Sequence, residues 1–224
     1  MKLKQLDLNV EKSGTIIFGN KKQVQNLQNT IETHKSLTID GMEVKVKTED
    51  KYLGDWLHSG GLAKSVQSTV NKRFGVCLNE ILELKSVIED FRMHSLGGIK
   101  VGIEIFNLAI LPKLTYNSDT WTEMNSSTTK RLENLQNILL RCLLCVPTST
   151  PAAALSWDFG FLSVEYRVSL KKIMFIHYLA TLNKEALASE IFLIQRDHNL
   201  PGIVKEGKEL LQSFSLPNII LSLL

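Results

Sequence analysis

The chain has 224 residues, 44% hydrophobic and 22% charged, which suits a folded protein with one core or two small ones. The opening Met-Lys-Leu-Lys-Gln-Leu-Asp has no apolar run of signal-peptide length. The most apolar stretch, Ile99 to Leu111, carries Lys100, Glu104 and Asn107, so neither secretion nor a membrane span is expected. Net charge is +3, with 16 Lys and Arg against 13 Asp and Glu in residues 1–113 and 10 against 10 beyond; this mild N-terminal excess is compatible with phosphate contact without establishing it.

Strand chemistry fills the first sixty residues and helical periodicity the rest. Thr15 to Phe18 is short and β-branched and predicts a strand, closed by Gly19-Asn20. Val24, Leu27 and Ile31, at three- and four-residue spacing, predict an amphipathic helix over Lys21 to Lys35. Leu37-Thr38-Ile39 and Met42-Glu43-Val44-Lys45-Val46 alternate around Asp40-Gly41. That pair accepts the positive φ values of a type I′ turn and so predicts a hairpin. Lys51 to Leu57 reads as one further strand. After Gly60-Gly61 the period lengthens to 3.6: Leu62, Val66, Val70, Phe74, Cys77, Ile81, Leu84 and Ile88 predict one long helix ending near Phe91. A second helix is expected from Ser95 to Leu111, stopped by Pro112, which lacks the helical donor.

Lys113 to Asn125 is expected to be irregular, and Ser126 or Ser127 to cap a helix through Leu144. Within it, Cys142-Leu143-Leu144-Cys145 has CxxC spacing, but no second Cys or His pair completes a zinc site, and both thiols are expected in the core. The three cysteines, an odd and sparse set, fit a reducing, intracellular compartment, nucleus or cytoplasm alike. Thr150 and Pro151 suit the cap and first position of a short helix ending at Gly160. Ser163 suits the cap of the next, through Leu182, and further helices are expected over Lys184 to Asp197 and Gly202 to Phe214. Trp121 and Trp157 are expected to pack inside. The fold class expected is α+β, mainly α: a small N-terminal antiparallel sheet or hairpin followed by a helical bundle.

Several segments also stand in a telling order. An Asn9-Val10-Glu11-Lys12 turn feeds the Thr15 strand, and Lys51-Tyr52-Leu53-Gly54 follows the hairpin. Then come Pro112-Lys113-Leu114-Thr115-Tyr116 with Trp121, Leu132-Glu133-Asn134-Leu135-Gln136 with Arg141, Pro147 and Thr150-Pro151, and Ala154 to Leu162. Over about residues 6–180 this resembles the end of the palm, the thumb and the post-thumb region of non-long-terminal-repeat (LINE-type) retrotransposon reverse transcriptases. The resemblance implies a palm remnant with a primer-grip-like hairpin over 1–58, thumb-like helices over 59–125 and a post-thumb helical region over 126–224. Asn117 stands where that family often has Gly, and Asp158 replaces a more usual Glu; residues 183–224 carry no motif of the family.

The resemblance also implies which residues matter. Intact members of the family use Mg²⁺ held by carboxylates from earlier palm motifs, and this chain has no Asp-Asp pair at all. No catalytic residue, metal ligand or cofactor is therefore assigned within it, and the chain alone is expected not to polymerise. The acidic pairs Glu49-Asp50 and Glu89-Asp90 read as solvated charge. Asn9 and Lys12 belong to the family's Asn-x-x-Lys turn, where Lys12 would help neutralise a departing phosphate in the intact enzyme. Lys51, Tyr52 and Gly54 match the primer grip. Lys64, Lys72 and Arg73, off the apolar stripe of the first long helix, are candidates for phosphate contact or ordinary solvated residues. The partners implied are a template–primer RNA/DNA duplex and the upstream fingers and palm, with no membrane. Three other readings stand beside this one: a domesticated remnant that still binds duplex, a helical protein-interaction module without nucleic-acid binding, and a truncated gene model.

Overall fold

The computed structural model describes residues 14–34, 37–39, 42–90, 95–158 and 160–214. The fold is α+β and mainly α, with two antiparallel hairpin sheets among the described residues, followed by helices. Two compact units are distinguished, Met1–Thr69 and Val70–Leu224.

In the first unit, Asn20 does more than close a strand: its Oδ1 accepts the Gln23 N–H at 2.9 Å and opens helix α1, Lys21–His34. The expected Thr15–Phe18 strand is reduced to one parallel bridge. Thr15 donates to the Lys45 carbonyl and accepts from the Lys47 N–H, and among the described residues nothing further pairs residues 16–18. β-Branched residues favour extended backbone, but a strand also needs a partner edge. Strands β1, Leu37–Ile39, and β2, Met42–Val44, form the expected hairpin with Ile39 opposite Met42. Asp40-Gly41 lie outside the described residues, and β2 ends at Val44 because Val46 turns to Thr15 instead.

The single strand expected over Lys51 to Leu57 is two strands. β3, Glu49–Tyr52, and β4, Asp55–His58, pair antiparallel through a two-residue turn at Leu53 (φ 47°) and Gly54 (φ 92°). Both φ values are positive, the type I′ condition, which a hairpin needs to follow the twist of its strands. Leucine is an unusual occupant of the first turn position, because its Cβ crowds the backbone there.

The outward edge of β4 is covered by the first turns of helix α2, Leu62–Asp90. The Trp56 N–H donates to Thr69 Oγ1 at 2.7 Å and the His58 N–H to Ser65 Oγ at 2.8 Å. Alternate strand residues point the same way, and so do helix residues four apart, so the two hydroxyls meet two successive outward amides. Ser68 Oγ adds a bond to Glu49 Oε2 at 2.7 Å. An exposed sheet edge is thereby closed.

In the second unit α2 continues, burying Val70, Cys77 and Ile81; Leu62, expected on the same stripe, is exposed in the first unit. Helix α3, Leu96–Ile105, capped by Ser95, runs into a wide π-turn over Phe106–Ile110 and then α4, Leu111–Leu114. Pro112 therefore does not stop the helix. It sits in the first turn of α4, where its missing N–H costs little, and the preceding π-turn lets the Leu111 N–H reach back five residues to the Phe106 carbonyl. Helix α5, Ser126–Leu144, is capped by Asn125, whose Oδ1 accepts the Thr128 N–H at 2.9 Å, and not by Ser126 or Ser127.

Helices α6, Ala152–Asp158, α7, Val164–Thr181, α8, Leu187–Asp197, and α9, Ile203–Ser213, complete the unit. Ser163 caps α7 as expected. Helix α8 starts three residues late because Asn183 holds residues 183–186 in a turn, its Oδ1 accepting from Glu185 and its carbonyl from Ala186. Leu132, Leu135, Leu139, Leu140 and Leu143 of α5 are fully buried, each contributing roughly 2 kcal/mol by its removal from water. Gly102 of α3 lies so close to Leu143 that a Cβ there would collide with it. Ile176, Leu179, Phe192, Val204 and Leu211 form a second cluster among α7, α8 and α9. Two expectations fail here. Trp157 is 87% exposed, and the CxxC thiols are not core residues, Cys142 being half-buried and Cys145 exposed at the end of α5.

Candidate nucleic-acid interface

The β3–β4 tip presents Tyr52, 63% exposed, and Leu53, 72% exposed, beside Gly54. Large apolar side chains at a tight turn of a small sheet are an unusual use of surface. Lys51 is exposed on β3 opposite Trp56. The adjacent acids are engaged: Asp50 accepts from Lys47 Nζ at 2.8 Å and from the Lys51 N–H at 3.0 Å, and Glu49 accepts from Ser68. The hydrogen bond from the Lys47 ammonium, with that from the Lys51 amide, holds the Asp50 carboxyl below the usual carboxylate range.

A cleft of about 550 Å³ lies in the same unit, between the start of α1 (Asn20, Val24, Gln28) and the His58–Gly60 turn with Lys64. His58 Nδ1 accepts the Gly60 N–H at 2.8 Å, which shapes that turn. The exposed Lys64 side chain folds over Gly60, so close that any Cβ on Gly60 would collide with it. Asn9 and Lys12 lie outside the described residues.

In the second unit Lys72 is exposed and Arg73 half-buried. Arg73 Nη1 donates to the Tyr116 carbonyl at 2.6 Å, and its guanidinium lies 5.5 Å from the Tyr116 ring centroid and 5.6 Å from that of Trp121. Asn117 takes φ 55°, the left-handed conformation open to glycine and asparagine, and its carbonyl accepts from the Thr120 N–H at 3.1 Å. The Pro112–Trp121 stretch thus folds as a clamp with Leu114 and Trp121 buried and Arg73 in its grip.

Among the described residues no group of three His, Cys, Asp or Glu side chains is placed to hold a metal ion. Nor, among the described residues, is any helix long and apolar enough to cross a membrane. No family model matches this chain, nor does any curated protein or solved structure.

Sequence reasoning missed Ser65, Ser68 and Thr69, which fix where the hairpin sits on α2. Their signal was a row of hydroxyls at three- and four-residue spacing on the first turns of a helix that directly follows a strand.

Proposed function

We propose that this chain is the C-terminal part of a non-long-terminal-repeat retrotransposon reverse transcriptase: a region that grips a template–primer duplex and does not polymerise by itself. The observation that carries the proposal is the β3–β4 hairpin. Its far edge is fixed to α2 by Ser65 and Thr69, and its tip holds Tyr52 and Leu53 out to solvent beside Gly54. A rigid, solvent-facing hairpin with one aromatic ring and one adjacent lysine suits a duplex end. The ring offers a face or hydroxyl to a sugar or base, Lys51 and Lys64 offer charge to phosphates, and Gly54 admits close backbone approach. Asn117, where that family often has Gly, supports the proposal from a second place, since it takes φ 55°, a conformation that glycine adopts readily.

Arg73 is better read as part of the fold, because its guanidinium is committed to the Tyr116 carbonyl and two rings. Supplied with template–primer, deoxynucleotides and magnesium, the purified chain is expected to give no extension while binding an RNA–DNA hybrid with affinity that falls as salt rises. Incorporation of nucleotide would overturn the non-polymerising part, and no binding at low salt would overturn the grip. A second reading, a helical protein-interaction module, has its own support in the exposed apolar side chains Met174 and Tyr178 of α7 and Leu187 of α8.

A further inference from the structure

The cleft of about 550 Å³ between the start of α1 and the His58–Gly60 turn has a definite polarity. Asn20, which opens α1, stands four residues before Val24 and eight before Gln28, so one side of the helix faces the cleft, with Gln25 beside it. Three groups around it are left chiefly as donors. Asn20 Oδ1 is taken by the Gln23 N–H, which leaves the NH₂ of its carboxamide. His58 Nδ1 is taken by the Gly60 N–H, so Nε2 carries a hydrogen whatever the charge of the ring. Lys64 brings a positive charge, and no carboxylate stands among the described residues of the lining.

Gln25 and Gln28 offer donors and acceptors together, and Val24 adds an apolar surface. All six side chains are exposed or half-buried, so a ligand can meet them. Donors around one cation suit a phosphate. Carboxamides suit the donor–acceptor edge of a nucleobase, the pairing by which Asn and Gln read adenine. The volume is within the range of small-molecule sites.

We propose that this cleft binds one nucleotide held outside a duplex, with its phosphate at Lys64 and His58 and its base at Gln25, Gln28 and Val24. Given the duplex grip at the β3–β4 tip, on which this source of the nucleotide rests, the strand leaving the gripped end supplies it. From Asp55 at the tip, β4 reaches His58 in three residue steps, about 10 Å, or roughly three nucleotides at the rise of a duplex strand. A free mononucleotide has the same chemistry and is the second source.

The full-length chain is titrated, with anisotropy as the readout, into a labelled RNA–DNA hybrid that is blunt or carries three unpaired nucleotides at its 3′ or its 5′ end. In parallel, adenosine monophosphate is titrated into the ¹⁵N-labelled chain. One overhang should bind on the order of tenfold tighter than the blunt hybrid. Gln25→Ala combined with Gln28→Ala, changes that suit a helix, should remove this gain and keep the blunt affinity. Tyr52→Ala should weaken every hybrid and keep the gain. Adenosine monophosphate should shift the Gly60 amide in the wild type and not in the double variant. A gain without that shift assigns the cleft to strand nucleotides, and the shift without a gain assigns it to free ones. Absence of both, or persistence of either in the double variant, would overturn the proposal. A blunt hybrid left unbound at low salt would overturn the grip alone, because the mononucleotide still reads the cleft.

Discussion

Replacing Thr69 with valine keeps the shape of a side chain that is almost wholly buried and removes only the acceptor for the Trp56 amide. That amide points away from β3, because Lys51 opposite Trp56 is a non-hydrogen-bonded pair in this hairpin, so no carbonyl of β3 can substitute. A buried donor left unmet costs about 1–3 kcal/mol, and since Trp56 is only half-buried the lower part of that range applies, about 1–1.5 kcal/mol. Converted at 1.4 kcal/mol per decade, hydrogen exchange at the Trp56 amide should accelerate roughly tenfold. Leu57, whose amide faces Asp50 within the hairpin, should change far less. Ser65→Ala should do to His58 what Thr69→Val does to Trp56. Exchange measured amide by amide separates the outcomes. An unchanged Trp56, or Trp56 and Leu57 accelerating alike, would refute the idea that individual helix hydroxyls hold the β4 edge.

Two glycines should answer alanine with opposite signs in denaturant melts. Gly75 of α2 is exposed with open space where a Cβ would go, so Gly75→Ala should stabilise by about 0.5–1 kcal/mol, whereas Gly102→Ala must displace the buried Leu143 and should cost about 1–2 kcal/mol net. Between pH about 9 and 11 the folded chain keeps a Cys77 proton that the unfolded chain gives up, so stability falls as pH rises through that window. The wild type should lose about 2 kcal/mol more than Cys77→Ala there, and parallel pH profiles would contradict the burial. The buried Lys172 ammonium pairs with Glu206 at 2.8 Å, and Glu206 also accepts the Glu123 N–H. Glu206→Gln should cost about 3 kcal/mol by stranding that charge, and Lys172→Met markedly less; equal losses from the two would count against a desolvated pair.

Much of the helical part could be read from periodicity. Val66, Val70, Cys77 and Ile81, and then Leu132, Leu135 and Leu139, fall on the stripes that burial later fills, since a helix face is set by spacing alone. What spacing cannot supply is a partner. Thr15 to Phe18 has strand composition but, among the described residues, pairs at Thr15 alone, and the Leu53-Gly54 turn was hidden because one of its two positive-φ positions holds leucine. Pro112 misled for a related reason: it ends a helix only if the turn before it is α, and here that turn is π. At the candidate site, Tyr52 and Lys51 were legible as motif residues, whereas the hydroxyls that hold their hairpin belong to another element and carry no motif.

The duplex grip is tested most directly by the anisotropy of a labelled RNA–DNA hybrid titrated with this chain over a range of salt concentrations. Binding should weaken linearly on a log–log plot, with Lys51→Ala making the slope shallower by about one and Tyr52→Ala weakening binding roughly tenfold at an unchanged slope. A hybrid that stays unbound at low salt, or one bound equally well by both variants, would contradict a grip built on the β3–β4 tip.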